Sequence, residues 1–429
     1  MAKKKRRQHK WEPTKHQLSR QQQQKKRQRI FLIVGISVMA VVGGVIGGGW
    51  YKNDYLPRQE LVIKVNDTEF NMGYYLDMLK IQSQPYLQAY EASQAKIYVQ
   101  SLADQVVQFI EENELMRQGA LAWGIEVTDH EVSEALKESD PPLGKEYWEL
   151  MKHDLLVQKL LDEHFDLEVP VTAEQRHIMA MFLESESQAK STRERLVEGE
   201  DFATLASELS LYDTSQDEAG DLGWHPKGIL AERFGLSIPE DYAFSAEAGA
   251  LSQPLFDEER TKSVGYWLAE VLEKDTDESG EIYHIRVMLL GSEEEAQDIR
   301  ARLEAGEDFA TLAEEYSQHS DSKDNGGDLD WLPLEDVIAP LKDFVLNAEV
   351  GTISEPVRDE TSTTKGGYWL VKVVAEEDNR QISDEDRSFL KTKALSDWLT
   401  SLSEDPANIV ESYLDSDKKA WAVDQVLGG

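Results

Sequence analysis

The chain has no cysteine among its 429 residues. Disulfides, thiolate catalysis and lipid attachment through an N-terminal cysteine are thereby excluded, and any nucleophile or metal site must use other side chains. Motifs for common chemistries are missing as well: there is no HExxH, no phosphate-binding loop and no Ser-His-Asp signature. Acidic clusters such as SEEEAQD (292–298) and DESGE (277–281) lack the spacing of metal ligands and read as solvated faces. No metal or cofactor is expected.

Basic residues are scarce everywhere except at the start. The first thirty residues carry 12 Lys+Arg against one acidic residue, Glu12, whereas the remaining 399 hold 33 basic and 81 acidic residues. Between the two regimes lies IFLIVGISVMAVVGGVIGGGW, Ile30 to Trp50, 21 residues without a charge. At helical rise it spans roughly 30 Å, the thickness of a bilayer core. The alternative is a buried soluble helix, but the basic flank and the boundary aromatics Trp50 and Tyr51 favour a membrane span. No A-x-A site follows it, so it reads as a retained anchor with the N-terminus in the cytosol and the bulk outside. Gly43, Gly44, Gly47 and Gly48 form two overlapping GxxxG spacings that either pair helices or simply end a Gly-rich helix. Beside such a span the basic head sets topology and meets anionic lipid, so no nucleic-acid partner is expected.

The acidic part repeats itself. A shift of 107 residues lays VEGEDFATLASELS (197–210) on EAGEDFATLAEEYS (304–317), His177 on His284, Leu196 on Leu303 and Gly220 on Gly327. One offset satisfying separated features means duplicated domains. Each copy opens with a strand, RHIMAMFL or YHIRVMLL, whose alternation puts His177, Met179 and Met181 on one face. Two helices follow, then AGDLGW (219–224) or GGDLDW (326–331), and finally GYWLAEVLE or GYWLVKVVA. This order predicts an α+β unit on a mainly antiparallel sheet. Around the pair, LVIKVN (61–66) reads as a strand and TDHE (128–131) as a capping box. Phe109, Met116, Ala120 and Trp123, and again Leu390, Ala394, Trp398 and Leu402, lie at helical spacing.

A histidine-bearing strand, two helices, a G-G-D-L-G-W-like turn and a Gly-Tyr strand resemble the parvulin (PpiC, or rotamase) peptidyl-prolyl isomerases. Here they occur twice. VIKVNDTEFNMGYYLDML, ALAWGIEVTDHEVSEAL and DLLVQKLL resemble the helical domain of SurA-type and PrsA-type chaperones. The resemblance implies isomerisation of Xaa-Pro bonds without cofactor or covalent intermediate, against an amide barrier of roughly 18–20 kcal/mol. In the first copy it places the leading histidine on His177, the polar position on Asp213 and the proline pocket on Leu222, Leu230 and Phe234. The family's second histidine is replaced by Trp267. In the second copy it points to His284, to Ser320 or, with a one-residue shift, His319, and to Leu329, Val337 and Leu341, with Trp369 in place of the histidine. Asp330 stands where the first copy has Gly223, a position suited to glycine.

The expected division is a basic cytoplasmic tail (1–29), a transmembrane anchor (30–51), a SurA-type chaperone domain (58–168), parvulin domains at 172–275 and 280–377, and a C-terminal helical segment (380–429) packing on the chaperone domain. Two functions fit: an anchored isomerase and chaperone for exported chains, or a holdase with both parvulin units inactive. The partners are unfolded exported polypeptides carrying Xaa-Pro bonds, and the membrane through residues 30–51.

Overall fold

The computed structural model describes residues 51–277 and 280–428. The expected transmembrane segment, from Ile30 to Trp50, lies outside these residues; among the described residues no helix is long and apolar enough to cross a membrane. In chain order the strands are β1 (Leu61–Val65), β2 (Thr68–Asn71), β3 (Thr172–Leu183), β4 (Asp221–Pro226), β5 (Leu255–Lys262), β6 (Gly265–Asp277), β7 (Gly280–Leu290), β8 (Asp328–Pro333), β9 (Val357–Asp359), β10 (Thr364–Gln381) and β11 (Val410–Ser412). The chain divides into two units, one of residues 1–166 with 394–429, the other of residues 167–393.

In the first unit β1 pairs with β2 and with β11 from the C-terminal end. Helices Met72–Ala89, Ala92–Ala122 and Ser416–Leu427 share one core, into which Leu76, Leu79, Val106, Ile110, Val423 and Val426 pack. A second core joins Met116, Ala120, Phe165 and Leu395, so the 31-residue central helix serves two clusters with one stripe. Thr128 and Glu131 form the capping box that TDHE predicts, each side chain satisfying the other's free backbone donor. At the carboxyl end of the helix Ala92–Ala122, Trp123 stacks on Trp398 at 4.5 Å.

The second unit holds two four-stranded antiparallel sheets, β4-β3-β10-β5 and β8-β7-β6-β9. Their memberships cross. The closing strand of the first copy, β6, pairs with β7 of the second along Tyr266↔Leu290 to Asp277↔Gly280. The closing strand of the second copy, β10, pairs with β3 of the first, Trp369 opposite Phe182 and Leu370 opposite Met181. Lobe A is therefore residues 172–262 with 364–381, and lobe B is the continuous stretch 264–359. Each lobe thus takes its last strand from the other of the two expected stretches, 172–275 and 280–377.

Local pairing explains the exchange. β6 and β7 adjoin in sequence, and closing a short hairpin costs far less chain entropy than returning β6 to β3, some eighty residues earlier. Lobe A then lacks a strand, and β10, with the same GYWL opening, fills the place. The two crossing segments are knitted together. Thr364 donates to the Val264 carbonyl at 2.5 Å, and the buried Lys262 ammonium donates to the carbonyls of Lys365 and Gly366. A Cβ at Gly265 would sit 2.6 Å from Leu289, and one at Gly367 would sit 2.5 Å from Phe182. Close approach thus explains why glycine precedes the Tyr-Trp pair in both strands.

Each lobe packs helices on both sheet faces. In lobe A, Met181, Leu183 and Leu370 meet Phe202 and Leu205 on one face, while Ile178, Ala180, Phe182, Trp369 and Val371 meet Leu230, Leu236 and Ala243 on the other. The repeated GEDFATL is a helix start: Asp201 and Asp308 each accept the backbone N–H and hydroxyl of the threonine three residues on.

Candidate functional site

The Gly-Asp-Leu turns bring β4 and β8 alongside the histidine strands. In lobe A the Asp221 carboxylate accepts the Gly223 N–H at 2.8 Å and shares a 2.8 Å hydrogen bond with His177 Nε2, whose ring stacks on Trp224 at 5.4 Å. Lobe B repeats this: Asp328 accepts the Asp330 N–H at 2.7 Å and bonds His284 Nε2 at 2.9 Å, beside Trp331 at 5.5 Å. His177 has the parity of Met179 and Met181, as alternation predicts. The apolar cup belongs to the opposite parity, Ile178, Ala180 and Phe182. The structure thus does not bring His177 to the cup, nor His284, which alternates with the cup-facing Ile285 and Val287. Both histidines brace the turn through its aspartate.

The cup of lobe A gathers Leu230, which is buried, and Leu222, half-buried, around Trp369. Trp369, expected in the second copy's site, belongs here through the strand exchange. Phe234 faces outward, 36 % exposed, beside His225 and beneath Arg233. Asp213 is exposed at the first residue of its helix. The neighbouring Tyr212 turns inward, its ring edge-on to Trp369 at 5.6 Å. Arg260 on β5 lies over Tyr212 at 4.4 Å and over Trp369 at 5.7 Å, and donates to the Gly235 carbonyl at 3.4 Å. Burying an indole N–H without a partner is costly. Asp257 supplies that partner, accepting Trp369 Nε1 at 2.9 Å.

Lobe B is built alike. Trp267, expected in the first copy, packs with the buried Val337 and Leu341 and the half-buried Leu329. Its Nε1 donates to Asp359 at 3.0 Å. Burial works to raise the Asp359 carboxyl, but donors from Ser362, Trp267 and Thr361 outweigh it and hold the group far below the usual carboxylate range. His319, not Ser320, meets the indole, edge-on at 5.1 Å. Burial lowers the His319 imidazole's affinity for a proton, and Asp321 opposes this in part. Ser320 is exposed and donates to Asp321 at 3.2 Å.

Tyr212 and Arg260 escape a reading of the sequence by motif. The offset of 107 that aligns the copies sets Tyr212 on His319, which is a signal for the former. Nothing comparable marks Arg260, because strand exchange brings one of its two rings, Trp369, from more than a hundred residues away.

Family models match in the same order as these elements. A SurA-like N-terminal domain matches residues 18–161, and PPIC-type PPIase domains match 167–275 and 291–375. The second unit thus has the composition of a duplicated PPIC-type peptidyl-prolyl isomerase, with the last strands exchanged. Together the two PPIC-type domains behind a SurA-like N-terminal domain support a SurA/PrsA-like chain with two parvulin domains. It is 31% identical over 199 residues to the chaperone SurA of Pseudomonas syringae pv. tomato, covering 43% of each chain. It is also 31% identical over 179 residues to the foldase protein PrsA of Caldanaerobacter subterraneus, covering 38% of this chain and 56% of that one. The chain thus spans about half the length of these relatives. The solved PrsA of Bacillus cereus aligns over 87% of this chain and 100% of its own, at 13% identity and a TM-score of 0.29, and the sequence matches alone carry the assignment.

Proposed function

We propose that the chain is an extracytoplasmic folding factor, anchored through residues 30–51 with its N-terminus in the cytosol, that binds unfolded exported polypeptides and isomerises their Xaa-Pro bonds in lobe A. The observation that supports this reading is the convergence of Leu222, Leu230, Tyr212, Trp369 and Arg260 on one face of one sheet. An apolar cup takes the proline ring and its amide out of water, and the polar rim steers the carbonyl as the bond twists. Rotation needs no bond-making group, so neither nucleophile nor cofactor is called for. The anchor and orientation rest on the charge asymmetry about the apolar run.

A second reading, a holdase with both lobes inactive, is favoured by the two histidines facing away from the cups and by the full burial of Trp369. In it, basic client segments lie in a cleft of about 1010 Å³ beside Phe256 and Tyr368, where carboxylates such as Glu186, Glu258, Glu294 and Asp298 outnumber Lys262, Arg302, Lys323 and Lys365. The deciding measurement is cis–trans exchange of an Ala-Pro test peptide with the full chain, alongside aggregation of an unfolded client. Accelerated exchange is the expected result. Suppressed aggregation with no acceleration would replace the first reading by the second.

A further inference from the structure

As an Xaa-Pro bond passes through the twisted state, conjugation is lost and the lone pair localises on the prolyl nitrogen. A donor aimed at that nitrogen strengthens only in the transition state, which is what acceleration requires. On β3 and β10 the cup face of lobe A carries only apolar side chains, Ile178, Ala180, Phe182, Trp369, Val371 and Val373, and the histidine of β4, His225, is engaged by Asp386 and the Leu222 carbonyl.

We propose that Arg260 is the catalytic group of lobe A, donating a guanidinium N–H to the prolyl nitrogen as it pyramidalises; this rests on the reading of lobe A as an isomerase. No covalent bond is made or broken and no proton leaves the guanidinium. The rings of Tyr212 and Trp369 fix the plane of the fork at the cup's edge. Its charge is held free for a ligand: among the described residues no carboxylate pairs with Arg260, whereas Arg233, Arg286, Arg300 and Arg358 of the same unit each pair with one. Of the three acids nearest in sequence, Glu258 lines the cleft and the other two are otherwise engaged. Asp257 accepts the indole N–H and the Arg260 backbone N–H, and Glu259 pairs with Lys365. Lobe B provides the contrast. Three residues beyond Asp359, where lobe A has Arg260 three beyond Asp257, stands Ser362, which donates to Asp359 itself at 2.7 Å. Lobe B therefore keeps a cup without the donor, and acts as a binding module.

The test is exchange of an Ala-Pro peptide by the full chain and by Arg260→Gln, with peptide Kd measured in parallel. The expected result is a fall in kcat of roughly 100-fold, as for loss of one preorganised donor, with Kd changed less than about threefold and the near-ultraviolet circular dichroism retained. A kcat within twofold of the parent overturns the assignment. If Arg260→Gln does not fold, Arg260→Lys decides: it keeps the charge and stem but not the fork, so about a tenfold loss of kcat is expected, and no loss overturns the proposal. A parent chain that binds the peptide without turning it over sinks the isomerase reading itself, an outcome distinct from active enzyme that tolerates both substitutions.

Discussion

Asp330 holds a left-handed backbone angle, φ 59°, where lobe A has Gly223 at 84°. A side chain at such an angle costs on the order of 1 kcal/mol, and glycine avoids it. Asp330→Gly is therefore expected to raise the denaturant midpoint of the second unit, and Gly223→Asp to lower it. Unchanged midpoints in both would show that the Asp330 side chain, which accepts the Trp331 N–H at 2.9 Å, repays the strain. His177 carries a different expectation. It braces Asp221 on the face away from the cup, so His177→Ala should cost about 1 kcal/mol of stability, the worth of one hydrogen bond, and leave peptide exchange by the full chain within twofold. A large loss of exchange at full stability would return the histidine to the catalytic site.

At the scale of elements, the exchange of β6 and β10 is directly testable because the chain contains no cysteine to compete. Opposed strand residues lie within the Cα separation a disulfide tolerates. Met181→Cys with Leu370→Cys, and Met288→Cys with Leu268→Cys, should each cross-link on oxidation, since these residues face one another across the ladders. The pair Met181→Cys with Leu268→Cys should not, and its cross-linking would restore the sequential domains. The crossing itself should respond to pH. Burial lowers the Lys262 ammonium from its ordinary 10.5 to about 8, with Glu184 and Glu295 opposing. Between those values the unfolded chain holds a proton that the folded chain has released, so stability rises with pH. Tyr266 works oppositely: burial pushes it up to about 12, so stability falls once the unfolded tyrosine ionises above pH 10. Urea midpoints should therefore climb from pH 8 and turn over near 10, and the climb should vanish in Lys262→Met.

For the whole molecule, a net charge of -37 implies self-repulsion in the compact state. Raising ionic strength from about 10 to 150 mM, which shortens the screening length from roughly 30 to 8 Å, should raise the urea midpoint at pH 7; a fall would mean that the ion pairs outweigh the repulsion. The same scale shows how much was legible beforehand. The duplication, the strand and helix order, the capping box and the SurA-type flank could be read from spacing, because each depends on neighbours within a few turns or strands. The pairing of Trp267 with Val337 and of Trp369 with Leu230 could not, because both strands carry the same GYWL and either would fit either sheet.

Taken alone, the sequence determined the duplication and the order of strands and helices, which follow from periodicity and motif, and its resemblance to the parvulins pointed to Leu222, Leu230, Leu329, Val337 and Leu341. Only the tertiary structure decided which tryptophan serves which cup, that the histidines face the turns, and that Arg260 rests on rings from distant segments. The reason is physical: a motif records what a residue is next to along the chain. Strand exchange and sheet parity are settled by loop-closure entropy and by which face is buried.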